Sequence, residues 1–127
     1  MERLNLAVDF GVFFEVEEKY VIEKCIIVEG RSDKLKITPL LAEQALILCT
    51  NGTVDEEALL ELLEPYEGIE FYTFFDRDKS GDYLRKMMRR TYSEAVQLEL
   101  PVPFNGVAEA PSYVIRDILQ AAKFQVK

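Results

Sequence analysis

Three short apolar runs that do not alternate set the fold class: Cys25-Ile26-Ile27-Val28, Ala45-Leu46-Ile47-Leu48-Cys49 and Phe71-Tyr72-Thr73-Phe74-Phe75. A strand with one face in water alternates apolar with polar residues, whereas a continuous β-branched or aromatic run belongs to a strand covered on both faces. A fourth run, Ala95 to Leu100, alternates more and places Val96, Leu98 and Leu100 on one side. The segments between the runs read as helices. Thr53 and Glu56 stand at capping-box spacing, Asp55, Glu56 and Glu57 suit the positive end of a helix, and Leu59, Leu60, Leu62 and Leu63 supply its apolar face before Pro65 stops it. Ser80 is expected to cap a helix running to about Thr91, with Leu84, Met87, Met88 and Thr91 on one side. Pro111 opens a last helix whose Val114, Ile115, Ile118, Leu119 and Ala122 face inward. Asp33 to Ala42 is helical in composition, but Pro39 must kink or restart it.

Strand and helix alternating four times predicts a mainly parallel four-stranded sheet with helices on both faces, an α/β, three-layer α/β/α, Rossmann-like domain with right-handed crossovers. In such sheets function gathers at the carboxyl ends of the strands, beside the point where the strand order reverses. At 127 residues the chain has room for one domain, and a chain of this size buries about two-thirds of its unfolded surface without staples.

That domain is expected over residues 24–127. Residues 1–23 follow a different rule: Leu4, Leu6, Val8, Phe10, Val12, Phe14 and Val16 occupy every even position. Period two predicts an N-terminal extension or arm, extended, that pairs with a sheet edge or with another protomer, as a homodimer or a docking contact. A helical alternative rests on Phe10, Phe13, Phe14 and Glu17.

Absent residues narrow the chemistry. There is no His, which excludes Ser-His-Asp and Cys-His nucleophile systems and His-ligated metals. The two cysteines, Cys25 and Cys49, each sit in a strand-like run and read as buried structural thiols in a reducing compartment rather than a disulfide framework. No cationic segment precedes a continuous apolar stretch, and nothing approaches the ~18 apolar residues of a membrane span, so a soluble, cytoplasmic protein without membrane contact is expected. Fifteen basic against 23 acidic residues give a net charge of −8, which argues against a domain coated in basic surface.

Two of the predicted strands end in acids: the first in Glu29-Gly30, the third in Asp76-Arg77-Asp78. Three carboxylates meeting on one sheet edge repel unless a cation lies between them, and hard divalent ions such as Mg²⁺ accept one or two carboxylates plus waters and substrate phosphate. Gly30 removes a side chain where a phosphate would approach the backbone. Either half alone reads as solvated loop chemistry; the joint pattern is the more specific signal.

These residues resemble a family. Ile26-Ile27-Val28-Glu29-Gly30-Arg31-Ser32-Asp33 resembles the first motif of Toprim domains, and Phe74-Phe75-Asp76-Arg77-Asp78-Lys79-Ser80-Gly81 the second. Toprim domains occur in bacterial primases, type IA and type II topoisomerases, old-type nucleases, the recombination protein RecR and the ribonuclease that matures the smallest ribosomal RNA. Thr50-Asn51-Gly52 is similar to that ribonuclease and to small stand-alone Toprim proteins. The resemblance covers about residues 24–123. It implies Glu29 as the general acid or base, Asp76 and Asp78 as ligands of Mg²⁺ (with Mn²⁺ as a substitute), and Gly30, Arg31, Asp33, Lys34, Asn51, Arg77, Lys79, Gly81 and Arg85 around the substrate. Asp33 reads equally as a helix cap, and Asn51, Gly52 and Gly81 equally as turn residues. If Glu29 and the aspartates are neighbours, the strand order is 2-1-3-4.

Charge is unevenly spread. Arg77 to Arg90 holds six basic residues (Arg77, Lys79, Arg85, Lys86, Arg89 and Arg90), while Asp55 to Glu70 holds seven acids and no base. Arg85, Lys86, Arg89 and Arg90 are expected to form an exposed stripe that, with Arg31 and Lys34, offers local positive charge to a phosphate backbone in weak, salt-sensitive contact. The expected function is Mg²⁺-dependent phosphodiester cleavage or phosphoryl transfer on nucleic acid, nuclease-like, with no tyrosine to nominate as a covalent nucleophile. A non-catalytic metal- and nucleic-acid-binding module that serves a larger partner is the alternative. Receiver domains and haloacid-dehalogenase-type phosphatases share the topology but distribute their acids differently over the strand ends.

Overall fold

The structure, a computed structural model, describes residues 22–127, so the alternating segment at positions 4–16 lies outside the described residues. Strands β1 (Lys24–Val28), β2 (Leu46–Cys49), β3 (Glu70–Phe74) and β4 (Val96–Leu98) form one sheet in the order β2-β1-β3-β4, as expected from the placement of the acids. All three pairings are parallel. Helices α1 (Arg31–Ile37), α2 (Glu56–Leu63), α3 (Lys79–Thr91) and α4 (Ser112–Ala121) follow the four strands in turn.

Period two within the buried strands sorts side chains between two cores. Ile26, Val28, Tyr72, Phe74 and Leu98 pack with Ile37 of α1 and Ile115 and Leu119 of α4. Cys25, Ile27, Phe71 and Phe75 pack with Leu59 and Leu63 of α2 and Leu84, Met87 and Met88 of α3. Both faces of the central strands are therefore dry, which explains the absence of alternation. Each fully buried Leu or Ile contributes about 1.5–3 kcal/mol relative to exposure.

Local chemistry departs from the sequence reading at four places. The cap of α2 is Asp55, whose Oδ1 accepts the Ala58 N–H at 2.8 Å, not Thr53. Asn51 and Gly52 have positive φ, which keeps the segment before Asp55 in a turn, and a carboxylate suits the positive helix end better than a hydroxyl. The cap of α3 is Asp78, not Ser80. Val96 is 47% exposed while Leu98 and Leu100 are buried, because β4 is a short edge strand and Val96 begins it. Arg85 is buried rather than part of an exposed stripe. Pro39 does restart the chain: α1 ends at Ile37 and a single 3₁₀ turn, Thr38–Leu40, follows.

The C-terminal residues return to α1's exit. The Ala42 N–H donates to the Gln125 carbonyl at 2.8 Å and the Lys127 N–H to the Leu40 carbonyl at 2.9 Å. No helix among the described residues is long and apolar enough to cross a membrane.

Candidate functional site

The register Ile27↔Thr73 brings the carboxyl ends of β1 and β3 level, so Glu29 and Asp76 emerge side by side where the strand order reverses. The Asp76 N–H donates to Glu29 Oε2 at 2.8 Å, and the Ser80 hydroxyl donates to Glu29 Oε1 at 3.1 Å. Asp76 is in turn held by the Val107 N–H, which donates to its Oδ1 at 2.9 Å. Asp78 uses Oδ1 to accept the Gly81 N–H at 2.8 Å and so starts α3. Asp33 sits in the first turn of α1 and accepts the Gly30 N–H at 3.0 Å.

The two glycines of the motifs differ in what the protein demands of them. A Cβ at Gly81 would lie 1.9 Å from the Asp76 carbonyl oxygen, so α3 can pack this close to the Asp76 loop only without a side chain there. A Cβ at Gly30 would meet only Asp33 Oδ2, at 3.9 Å. Among the described residues nothing forbids a side chain at Gly30, and its absence leaves space at the strand end.

The carboxylates are electrostatically uncomfortable. Burial pushes the Glu29 carboxyl above its ordinary range, the charges of Asp76 and Asp78 push the same way, and the hydrogen bonds from Asp76 and Ser80 pull back. Burial also raises Asp76, with Asp78 and Glu109 adding repulsion, against the Val107 N–H and the Arg85 charge. Asp33 is pushed up to about 6, by burial first and then by the charges of Asp76 and Glu29. A cation at this edge relieves that repulsion.

The other residues named from sequence fall into three groups. Arg31, Lys34, Arg77 and Lys79 are exposed in the segments that flank the acids. Asn51, with φ of 61°, belongs to the site through its backbone: its N–H and that of Gly52 donate to the Glu29 carbonyl at 2.8 and 3.2 Å. Arg85 is not free to meet a substrate. It donates to the carbonyls of Phe75 and Asp76 at 3.3 and 3.1 Å and to Asp82 Oδ1 at 2.6 Å, which makes it a brace under the Asp76 loop.

Sequence reading missed three contributors: Ser80 as the partner of Glu29, the Val107 N–H, and Glu109, whose charge raises Asp76. Val107 and Glu109 lie in the segment after β4, which enters the same carboxyl edge by the topology already deduced. That topology is the signal that could have pointed to them.

The donor set fits a magnesium-like ion in one respect. Oδ2 of Asp76 and Oδ2 of Asp78 make no hydrogen bond among the described residues, which leaves two carboxylate oxygens, the usual protein share of a Mg²⁺ shell. Among the described residues no three acids gather as a ready-made cage, so solvent and substrate would complete the coordination.

No protein-family model matches the chain. It is 40% identical over 105 residues to the uncharacterized protein YusF of Bacillus subtilis (strain 168), an overlap of 83% of this chain and 72% of that one. The solved structure of a small TOPRIM domain protein from Bacillus stearothermophilus shares 41% sequence identity and a TM-score of 0.81, over 84% of this chain and 91% of that one. Given that identity and TM-score over nearly the whole of a solved Toprim domain, the chain belongs to the Toprim family.

Proposed function

We propose that this Toprim domain is a Mg²⁺-dependent, nuclease-like phosphodiester-cleaving or phosphoryl-transferring protein that acts on nucleic acid. The observation that carries the reading is the contact between Glu29 and the Asp76 N–H, which ties the acid of β1 to the Asp-x-Asp of β3 at the switch point. Asp76 and Asp78 hold the ion through their unbonded oxygens. Bound there, Mg²⁺ supplies charge stabilisation at a phosphate oxygen and acidity to a coordinated water. Glu29 moves a proton to or from the attacking or leaving oxygen, and burial, which disfavours its charged form, pushes its carboxyl in the direction that helps it hold a proton. Arg31, Lys34, Arg77 and Lys79 meet the phosphate backbone in weak, salt-sensitive binding, while Gly30 leaves space for a phosphate. A cytoplasmic location suits two unpaired thiols.

The test is Mg²⁺- or Mn²⁺-dependent cleavage of labelled structured RNA, duplex DNA and single strands by the wild type and by Glu29→Gln. Metal-dependent cleavage that vanishes in the variant establishes the nuclease and its substrate class.

One observation favours a second reading, a non-catalytic metal- and nucleic-acid-binding module acting with a larger partner. Both oxygens of Glu29 are already hydrogen-bonded within the domain, as a structural acid's would be. Nucleic-acid binding without cleavage of any substrate selects this reading.

A further inference from the structure

We infer that Ser80 is a positioning residue, the side chain that fixes the orientation of the Glu29 carboxylate over the metal motif. The inference rests on Glu29 as the general acid or base proposed above. Glu29 is the first residue beyond β1, and the chain there is held by the loop after β2, through the N–H groups of Asn51 and Gly52 on the Glu29 carbonyl. Those bonds fix the main chain but leave the side-chain torsions free. Two further donors hold the carboxylate, one to each oxygen: the Asp76 N–H on Oε2 and the Ser80 hydroxyl on Oε1.

One bond to one oxygen permits the carboxylate plane to turn about that contact; two bonds to separate oxygens fix it. The backbone donor is present whatever residue stands at 76. The second donor depends on a hydroxyl at 80, in the first turn of α3, where Asp78 has already taken the capping duty that a serine would otherwise serve. Ser80 is therefore not needed to start the helix, and among the described residues its side-chain hydrogen bond crosses to Glu29 at the end of β1, 51 positions earlier. A hydroxyl also donates to a carboxylate and accepts from a carboxylic acid, so the contact persists through a proton transfer at Glu29.

The experiment compares wild type, Ser80→Ala and Ser80→Thr with a 5′-labelled oligonucleotide that the wild type cleaves. Ser80→Ala is expected to lower kcat roughly tenfold with KM within about twofold, and Ser80→Thr to restore most of the loss. Melting temperature and Mn²⁺ affinity are expected to stay at wild-type values in both variants. A kcat within about twofold of wild type in Ser80→Ala, while Glu29→Gln is inactive, overturns the inference and leaves the nuclease reading intact. Should the wild type cleave nothing, the nuclease reading has failed, and a second readout decides the positioning claim. The Glu29 side-chain carboxyl carbon, followed by NMR, is expected as one narrow resonance in wild type and Ser80→Thr, shifted or broadened in Ser80→Ala. The same resonance in all three proteins overturns the inference.

Discussion

Glu29 and Asp76 are 47 positions apart in the chain and are joined by a 2.8 Å hydrogen bond from the Asp76 backbone N–H to Glu29 Oε2. The bond depends on the backbone of one residue and the side chain of the other. It places the side chain of Asp76 free of Glu29, tied instead to the Val107 N–H and open at its other oxygen. On the function proposed above, acid–base chemistry and metal binding would rest on different atoms, and substitutions should separate them.

Glu29→Gln is expected to bind Mn²⁺ within about threefold of wild type, whereas Asp76→Asn and Asp78→Asn each weaken binding by at least about tenfold, because of these three residues the aspartates alone keep an oxygen with no hydrogen bond among the described residues. Titration calorimetry or Mn²⁺ electron paramagnetic resonance reads this directly. Equal weakening in all three would show that Glu29 is itself a ligand.

Gly81→Ala and Gly30→Ala should behave as opposites. The first forces a Cβ to within 1.9 Å of the Asp76 carbonyl and is expected to cost about 2 kcal/mol or more of stability. The second meets only ordinary contact and is expected to leave stability within about 1 kcal/mol while reducing nucleic-acid binding or cleavage. Urea unfolding followed by a binding assay distinguishes them; a Gly30→Ala protein with unaltered binding and cleavage would remove Gly30 from the substrate path.

Arg85→Ala should act as a stability mutation. It strips the carbonyls of Phe75 and Asp76 of a buried donor, a loss of about 1–3 kcal/mol. Arg77→Ala and Lys79→Ala, both exposed, should change stability by less than about 0.5 kcal/mol and each lower the salt dependence of nucleic-acid affinity by about one ion. Chemical denaturation and affinity measured over a salt series read both; a fully stable Arg85→Ala would contradict the bracing role.

Asp33 gives the metal-free protein a pH dependence. Its carboxyl is raised from 3.8 to about 6 in the fold, so its contribution to stability is fully present below the unfolded value and is lost as pH rises through about 6. At pH 7 the buried charge is a burden. Asp33→Asn, which keeps an oxygen to accept the Gly30 N–H, is expected to be more stable than wild type at pH 7 by roughly 1 kcal/mol after allowance for solvent screening. The advantage should disappear by about pH 4. Unfolding in EDTA at the two pH values tests it, and a variant less stable than wild type at pH 7 would mean that the Asp33 charge stabilises the fold.

Much of this molecule is written locally. The unbroken runs at Cys25–Val28 and Phe71–Phe75 required strands dry on both faces, hence helices above and below, hence parallel pairing, whereas the run Ala45–Cys49 forms an edge strand in which only Ile47 is buried. Glu29, Asp76 and Asp78 could be placed on one edge because every parallel strand in such a sheet ends on the same side. Those inferences need only periodicity and strand direction. What they could not supply was which donor serves which acceptor. Thr53 and Ser80 carry good capping hydroxyls, yet Asp55 and Asp78 cap the helices, because turn geometry and the helix field select among neighbouring candidates. Arg85 looks like one more cation in a basic stripe, and only the packing of α3 on the β3 loop turns it inward to the Phe75 and Asp76 carbonyls. Ser80 reaches Glu29, and Val107 reaches Asp76, across contacts between segments distant in sequence. A sequence pattern records the periodicity of each segment; hydrogen-bond partners between segments are fixed only when the layers close and bring their ends within 3 Å or so.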